Sequence, residues 1–319
     1  MGGGAARGFA HVGVIAVLEE AGLRPSVLVG TSAGSLVAAL YASGKTSAQL
    51  QQTALNMEEV AITDWMLPIF GRGMFRGEAL SRYVNDLVAG RLIEKMSIPL
   101  GIVATDLNSG QAVLFQRGDT GLAVRASSAV PAVFVPVKIN GREYVDGGLV
   151  SPVPVRFARQ MGAELVIAVD ISSPPEGNPA EGTLQILLQT FAIMGKSINR
   201  YELRDADLVI QPSQAGLKSA DFSARQRAID AGRAAMLAAL PGATVGIGGS
   251  VAVLLIGEGT AADASAETTP LVGWSCQSRE NLEVFAKPGS GLNQLASRPA
   301  DSGFVINAFW KRSSMRSLQ

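Results

Sequence analysis

The first 240 residues alternate short strand-type runs with helical patterns, which predicts an α/β protein. The expected architecture is a three-layer α/β/α sandwich around a mostly parallel central sheet. Composition agrees: 319 residues, 47 % of them apolar and 17 % charged, describe a globular chain with ample material for a core.

Each element has its own signal. Residues 9–20 carry Val12, Ile15, Ala16 and Glu19 at helical spacing, and Gly22 supplies a stop. Residues 27–29 form a short buried-strand run entering Gly30, and residues 35–42 form a small apolar helix closed by Gly44. Helical patterns recur at 48–60 and 78–89, the second ending at Gly90. Residues 100–105 read as a strand, and the Asn108-Ser109-Gly110 turn returns the chain into 112–115 as a hairpin. A second hairpin pairs 135–139 with 143–145 across Asn140-Gly141. Strands at 165–170 and 207–211 flank a long amphipathic helix at 184–204, and a helix at 223–240 stops at Pro241-Gly242. Residues 1–242 are therefore expected to form the main domain. Residues 243–319, rich in Gly, Ala and Ser with weak periodicity, read as an appendage that is disordered or a non-native extension.

Several function classes are disfavoured at the outset. Lys and Arg total 27 against 27 Asp and Glu, so bulk electrostatics supports no nucleic-acid partner. One cysteine, Cys276, excludes an intrachain disulfide and a thiolate cluster. One histidine, His11, argues against a His-rich metal site, and no metal or cofactor is expected. No run reaches the roughly 18–20 apolar residues of a membrane-spanning helix, and no cleavage site follows residues 9–18. A soluble cytoplasmic protein is the expectation.

Three segments carry candidate chemistry. Gly30-Thr31-Ser32-Ala33-Gly34 is a G-x-S-x-G between a strand run and a helix run, the setting in which that motif lifts a serine nucleophile onto a tight turn. The bland alternative is a glycine turn with Ser32 as helix cap. Gly2-Gly3-Gly4-Ala5-Ala6-Arg7-Gly8 precedes a helix and can present free N–H groups to an anion; a loose N-terminal tail is the plain alternative. A dinucleotide loop would need a preceding strand and an acidic residue about 20 positions on, and neither is present. Asp146-Gly147-Gly148 follows the second hairpin; taken alone it is an ordinary Asp-Gly turn. Gly44-Lys45-Thr46 only imitates a P-loop, because Ala39 occupies the first glycine position. His11 reads as a helix histidine in the core more than as a base. Without it, Ser32 needs a carboxylate, and Asp146 is the best-placed one.

These three pieces, in this order, resemble the patatin-like phospholipase family, particularly its bacterial RssA-like branch. Residues 104–107, Arg125-Ala126-Ser127 with Pro131, and 167–170 add to the likeness, which covers about 240 residues. The resemblance implies a Ser–Asp dyad with Ser32 as nucleophile and Asp146 as base, acting on an acyl ester or lipid through an acyl-enzyme. It implies an oxyanion hole from the N–H groups of Gly3, Gly4 and Ala5, aided by Ala33, with Arg7 and Gly8 ordering that loop. Gly30, Thr31, Ala33 and Gly34 would shape the elbow, and Gly147 and Gly148 the Asp turn. Partners are then a lipid or acyl ester, with transient contact at a membrane surface. Family members carry a strand before the glycine loop, so a sheet lacking its first strand is expected here. Ala5 stands where many relatives have a third glycine, and alanine disfavours positive φ. The apolar stretch 62–75 is expected as core or, if movable, as a lipid-facing flap. Two rival readings remain open: an acyltransferase of related fold, and a non-catalytic regulatory protein that keeps the fold.

Overall fold

A computed structural model describes residues 1–57, 73–172, 182–213 and 222–240, together with the backbone of four short strands farther on. The chain divides into two units, Met1–Ala238 and Ala239–Gln319.

In the first unit a 3-10 turn, Ala5–Phe9, runs directly into α1 (Ala10–Glu20). Strand β1 (Leu28–Thr31) feeds α2 (Ala33–Ala42), and α3 (Ser47–Asn56) follows. Thr46 caps α3 reciprocally with Gln49, the S/T-x-x-E/Q box that fixes a helix start. Then come β2 (Gly73–Phe75), α4 (Glu78–Leu87), β3 (Leu100–Asp106), β4 (Ala112–Phe115), and α5 (Thr120–Ser127). Strands β5 (Ala132–Phe134), β6 (Val137–Ile139) and β7 (Arg142–Asp146) lead into α6 (Val155–Gln160). The unit closes with β8 (Ile167–Val169), α7 (Thr183–Glu202), β9 (Leu208–Ile210) and α8 (Arg225–Ala239).

The expected alternation is present, but the sheet is mixed, not mostly parallel. β1 pairs parallel with β3, whereas β4 and β7 both lie antiparallel to β3, and β6 is antiparallel to β7. The two tight turns account for two of these reversals, β3 into β4 and β6 into β7, because a hairpin reverses chain direction. A separate parallel pair joins β8 to β9, and β2 pairs parallel with β5.

Side-chain alternation sends successive residues to opposite faces. Leu28, Leu100 and Ile102 pack with residues of α1 to α5, while Val29 and Val103 pack with Phe157 of α6. Helices thus cover both faces, the three-layer arrangement expected.

Residues 1–3 run between the two sheets. The Met1 amine donates to Val29 O at 2.8 Å, and Met1 O accepts from Thr31 N–H at 3.1 Å, both on β1. Gly2 N–H donates to Val169 O of β8 at 3.0 Å.

Of the stretch 62–75, residues up to 72 lie outside those described. Phe75 of β2 stacks on Phe134 of β5 with ring centroids 5.5 Å apart. The second unit contains two antiparallel hairpins, β10 (Val245–Ile247) with β11 (Ser250–Ala252), and β12 (Trp274–Ser278) with β13 (Asn281–Val284). The other residues of 243–319, read as an appendage, lie outside those described.

Candidate active site

The G-x-S-x-G segment forms a strand-to-helix elbow. β1 ends at Thr31, Ser32 turns the chain, and α2 starts at Ala33. Ser32 sits at φ 51°, ψ −125°, a conformation costly for a residue with a side chain and characteristic of strained nucleophile turns. The flanking glycines are required by close approach. A Cβ at Gly30 would lie 2.5 Å from Ser35 Cα, and one at Gly34 would overlap the Met1 carbonyl. Ser35 Oγ donates to Ser32 O at 2.6 Å, and Thr31 Oγ1 donates to Ser151 O at 2.9 Å.

The glycine segment abuts this elbow. A Cβ at Gly3 would come within 3.1 Å of Ser32 Cβ, and one at Gly8 within 2.7 Å of Ala33 Cβ. One expectation needs correction: Gly3 N–H donates to Pro152 O at 2.9 Å and is already used. Gly4 and Ala5, at the start of the 3-10 turn, have N–H groups with no acceptor among the described residues, as expected of a helix N-terminus. Ala5 adopts φ 49°, so the alanine tolerates the positive φ that its side chain disfavours. Arg7 lies buried beside the loop, and its Nε donates to Gly4 O at 3.4 Å. Burial lowers its pKa to about 10, opposed by attraction to Asp170.

Asp146 terminates β7 and is 7 % exposed. Gly148 N–H donates to its Oδ1 at 2.7 Å, and its backbone carbonyl takes the Thr105 hydroxyl at 2.8 Å. Burial raises its pKa to about 6, partly offset by hydrogen bonds from Gly148 N–H and the Ser32 side chain. Asp146 and Ser32 are therefore side-chain neighbours. They come from strands that meet end to end along one edge of β3, opposite β4: Thr31 registers with Val103 and Asp146 with the next residue, Ala104. Gly147 packs so closely against Val103 O that a Cβ there would overlap it.

His11 is fully buried, and its Nε2 lies 2.9 Å from Gly2 O. A carbonyl only accepts, so Nε2 carries the proton. Desolvation, then the nearby terminal amine, lower the pKa to about 3. The ring is a neutral prop beneath the glycine segment.

Sequence reasoning missed three polar groups that hold this site. Ser127, at the end of α5, accepts the Ser32 N–H at 2.8 Å. Ser151 takes the Thr31 hydroxyl on its carbonyl and donates its own hydroxyl to Glu202 at 2.8 Å. Glu202, on α7, is pushed up to about 6 by burial, against the lowering effects of Ser151 and Arg156. Ser127 stood within the Arg125-Ala126-Ser127 stretch of the family likeness; no local signal marks Ser151 or Glu202. Among the described residues, no group of three or more His, Cys, Asp or Glu could hold a metal ion, and no helix is long and apolar enough to cross a membrane.

Residues 1–159 match the patatin-like phospholipase family model, and the chain belongs to that family. Its fold is the patatin fold, α/β with a mixed sheet. It is 36 % identical over 178 residues to an uncharacterized NTE family protein of Mycobacterium bovis, covering 56 % of this chain and 49 % of that one. It is 31 % identical over 226 residues to the human patatin-like phospholipase domain-containing protein 6, covering 69 % of this chain and 16 % of that one. The chain thus spans about half or less of the length of these curated relatives. Among solved structures it is similar to VipD from Legionella pneumophila, with a TM-score of 0.48 and 14 % identity, over 74 % of this chain and 65 % of that one.

Proposed function

We propose that this chain is a serine acyl-ester hydrolase, a lipolytic esterase or phospholipase A, working through a Ser32–Asp146 dyad. The observation that carries this reading is the meeting of a strained serine elbow with a buried carboxylate while the only histidine is spent on Gly2 O. A carboxylate is ordinarily a weak base for a hydroxyl. Raising Asp146 to about 6 moves it toward the pH at which it must work.

In the proposed reaction Ser32 Oγ attacks the ester carbonyl as its proton passes to the Asp146 carboxylate. The tetrahedral oxyanion forms beside the free N–H groups of Gly4 and Ala5 and the N-terminus of α2 at Ala33. Collapse expels the alkoxide, which takes the proton from Asp146 and leaves an acyl-Ser32. Water, deprotonated by Asp146, then attacks the acyl carbonyl; Ser32 recovers a proton and the carboxylic acid departs. Asp146 serves twice, and no imidazole is needed. Substrates are lipids or acyl esters presented at or near a membrane surface.

Hydrolysis of p-nitrophenyl butyrate by wild type, Ser32→Ala, Asp146→Asn and His11→Gln tests the reading. Ser32→Ala and Asp146→Asn should each lose roughly three orders of magnitude or more in kcat, as removal of a unit's essential member does. His11→Gln keeps a donor for Gly2 O and should stay within about tenfold of wild type, since it is outside the proton path. Equal activity in wild type and Ser32→Ala would sink the hydrolase reading in favour of a non-catalytic protein. Loss of all activity in folded His11→Gln would remove the dyad.

A further inference from the structure

Ser32 and Asp146 arrive from β1 and β7, whose C-terminal ends meet along one edge of β3, at Val103 and Ala104, while β4 takes the other edge. β1 runs parallel to β3 and β7 antiparallel to it, so the two strands approach each other head-on at successive β3 residues. Both chains turn away from β3 at this junction, and something has to fix the two main chains there. The end of α5 lies at this junction. Ser127 accepts the Ser32 N–H at 2.8 Å, and two residues later Ala129 O accepts the Asp146 N–H at 3.0 Å. One short stretch therefore holds the main chain of both residues. The stretch is itself pinned to β3, because Ser127 Oγ donates to Val103 O at 2.6 Å.

The hydroxyl of Ser127 is used in both its capacities. Its single proton goes to Val103 O, which turns a lone pair toward Ser32 N–H. Ser127 is wholly buried, so no water replaces the hydroxyl if it is removed. Both the nucleophile's N–H and Val103 O would then be left unpaired in the interior, a costly arrangement. The bond also acts on a residue held at φ 51°, where the main chain relaxes unless surrounding contacts hold it.

From this geometry we infer that Ser127 is a positioning residue for the nucleophile: by gripping Ser32 N–H while Ala129 O grips Asp146 N–H, it sets the spacing of the dyad. A corollary concerns the oxyanion. The Ser32 N–H is engaged with Ser127 and does not serve it, which leaves that task to Gly4, Ala5 and the α2 N-terminus. The inference rests on the Ser32–Asp146 reading for its catalytic consequence, but the grip on the elbow can be measured without any reaction.

The test compares wild type, Ser127→Ala, Ser127→Thr and Ser128→Ala in the full chain. Two readouts are taken: amide hydrogen exchange of the elbow peptide, residues 28–36, and kcat and KM for p-nitrophenyl butyrate. Ser127→Ala should raise elbow exchange about tenfold or more, beyond any change in peptides distant from the elbow. Melting should fall by a few degrees, so exchange and kinetics are read well below the melting range of each variant. There Ser127→Ala should lower kcat by about 10- to 100-fold with KM within about threefold, the split of a misplaced nucleophile and not of lost binding. Ser127→Thr, which keeps the hydroxyl, should recover most of both, and Ser128→Ala should match wild type. Folded Ser127→Ala with wild-type exchange and kcat would overturn the inference. If Ser127→Ala does not fold, Ser127→Cys, which exchanges the hydroxyl for a weakly hydrogen-bonding thiol, must show the same direction in both readouts, and no change there overturns it. If wild type hydrolyses no ester, the functional reading fails by itself and elbow exchange alone decides the role of Ser127.

Discussion

Glu202 receives the Ser151 hydroxyl on both carboxylate oxygens, each at 2.8 Å, and so ties α7 to the segment beneath the elbow. Ser151 passes that restraint on, because its carbonyl holds the Thr31 hydroxyl and the next carbonyl, Pro152 O, holds Gly3 N–H. Arg156 completes the arrangement with its Nε 3.1 Å from Glu202 Oε1.

Removing this tie should show in stability first. Glu202→Ala strands a fully buried Ser151 hydroxyl, which costs about 1–3 kcal/mol. Urea denaturation of the full chain at pH 7 should show that loss, with kcat for an ester lowered only a few-fold. Glu202→Gln keeps an acceptor for Ser151 and should lose clearly less. Equal losses in the two variants would mean that the hydroxyl contact is not what matters.

The pH dependence of hydrolysis should have one acidic limb. In the proposed dyad Asp146 must be ionised to take the Ser32 proton, and burial raises its pKa to about 6. kcat/KM should therefore rise through about pH 6 and level off. His11, held near 3, adds no limb between pH 5 and 8. A profile from pH 4 to 9 in wild type and His11→Gln should give the same midpoint in both. A midpoint lost with His11 would reassign the base.

Catalytic poise should cost stability. The folded pKa of Asp146, about 6, lies above its ordinary 3.8, so the native state binds the proton more tightly than the unfolded chain. This group's penalty is absent below about pH 4, grows as pH rises to 6, and persists above. Asp146→Asn should accordingly be more stable than wild type at pH 8, by about 1–3 kcal/mol, and the gap should close near pH 4. His11 and the Met1 amine have lowered values and act oppositely, losing stability as pH falls. Both are common to the two proteins and cancel in the difference, which is the quantity to measure.

Two glycines should tolerate no side chain. A Cβ at Gly34 meets Met1 O, and one at Gly147 meets Val103 O; both obstacles are main chain and cannot rotate away. Gly34→Ala and Gly147→Ala should each lose about 3 kcal/mol or more, in the range of overpacking and beyond. Gly22, with φ 74° and no neighbour within 4 Å, is the control: Gly22→Ala should cost about 1 kcal/mol from backbone strain alone. Thermal melts of the three variants would rank them.

What was legible in the sequence was local. Gly30, Ser32 and Gly34 announce an elbow because a tight turn needs those residues next to each other, and Asp146 is flagged by the two glycines behind it. Ser127 contacts Ser32 across 95 positions and Glu202 contacts Ser151 across 51, so no short window contains either pair. Helix α5 escaped notice because it has eight residues with Gly121 at its second position, and Asp119 starts it by capping Leu122 N–H. The mixed sheet was half visible. Both turns were recognised as hairpins, but which strand they would pair with depends on tertiary contacts. Gly3 was assigned to the anion because a free N–H is the default at a loop, and Pro152 O, which takes it, is 149 residues distant.

Met1–Gly3 stitches β1 to β8, and the same few residues lead straight into the turn to which the proposed reaction assigns the oxyanion. The seam of the molecule and its anion cradle are one thread. Slack anywhere along that seam, from a lost Val169 bond to a shifted Pro152, would be felt as a blunted reaction before it was felt as an unfolded protein.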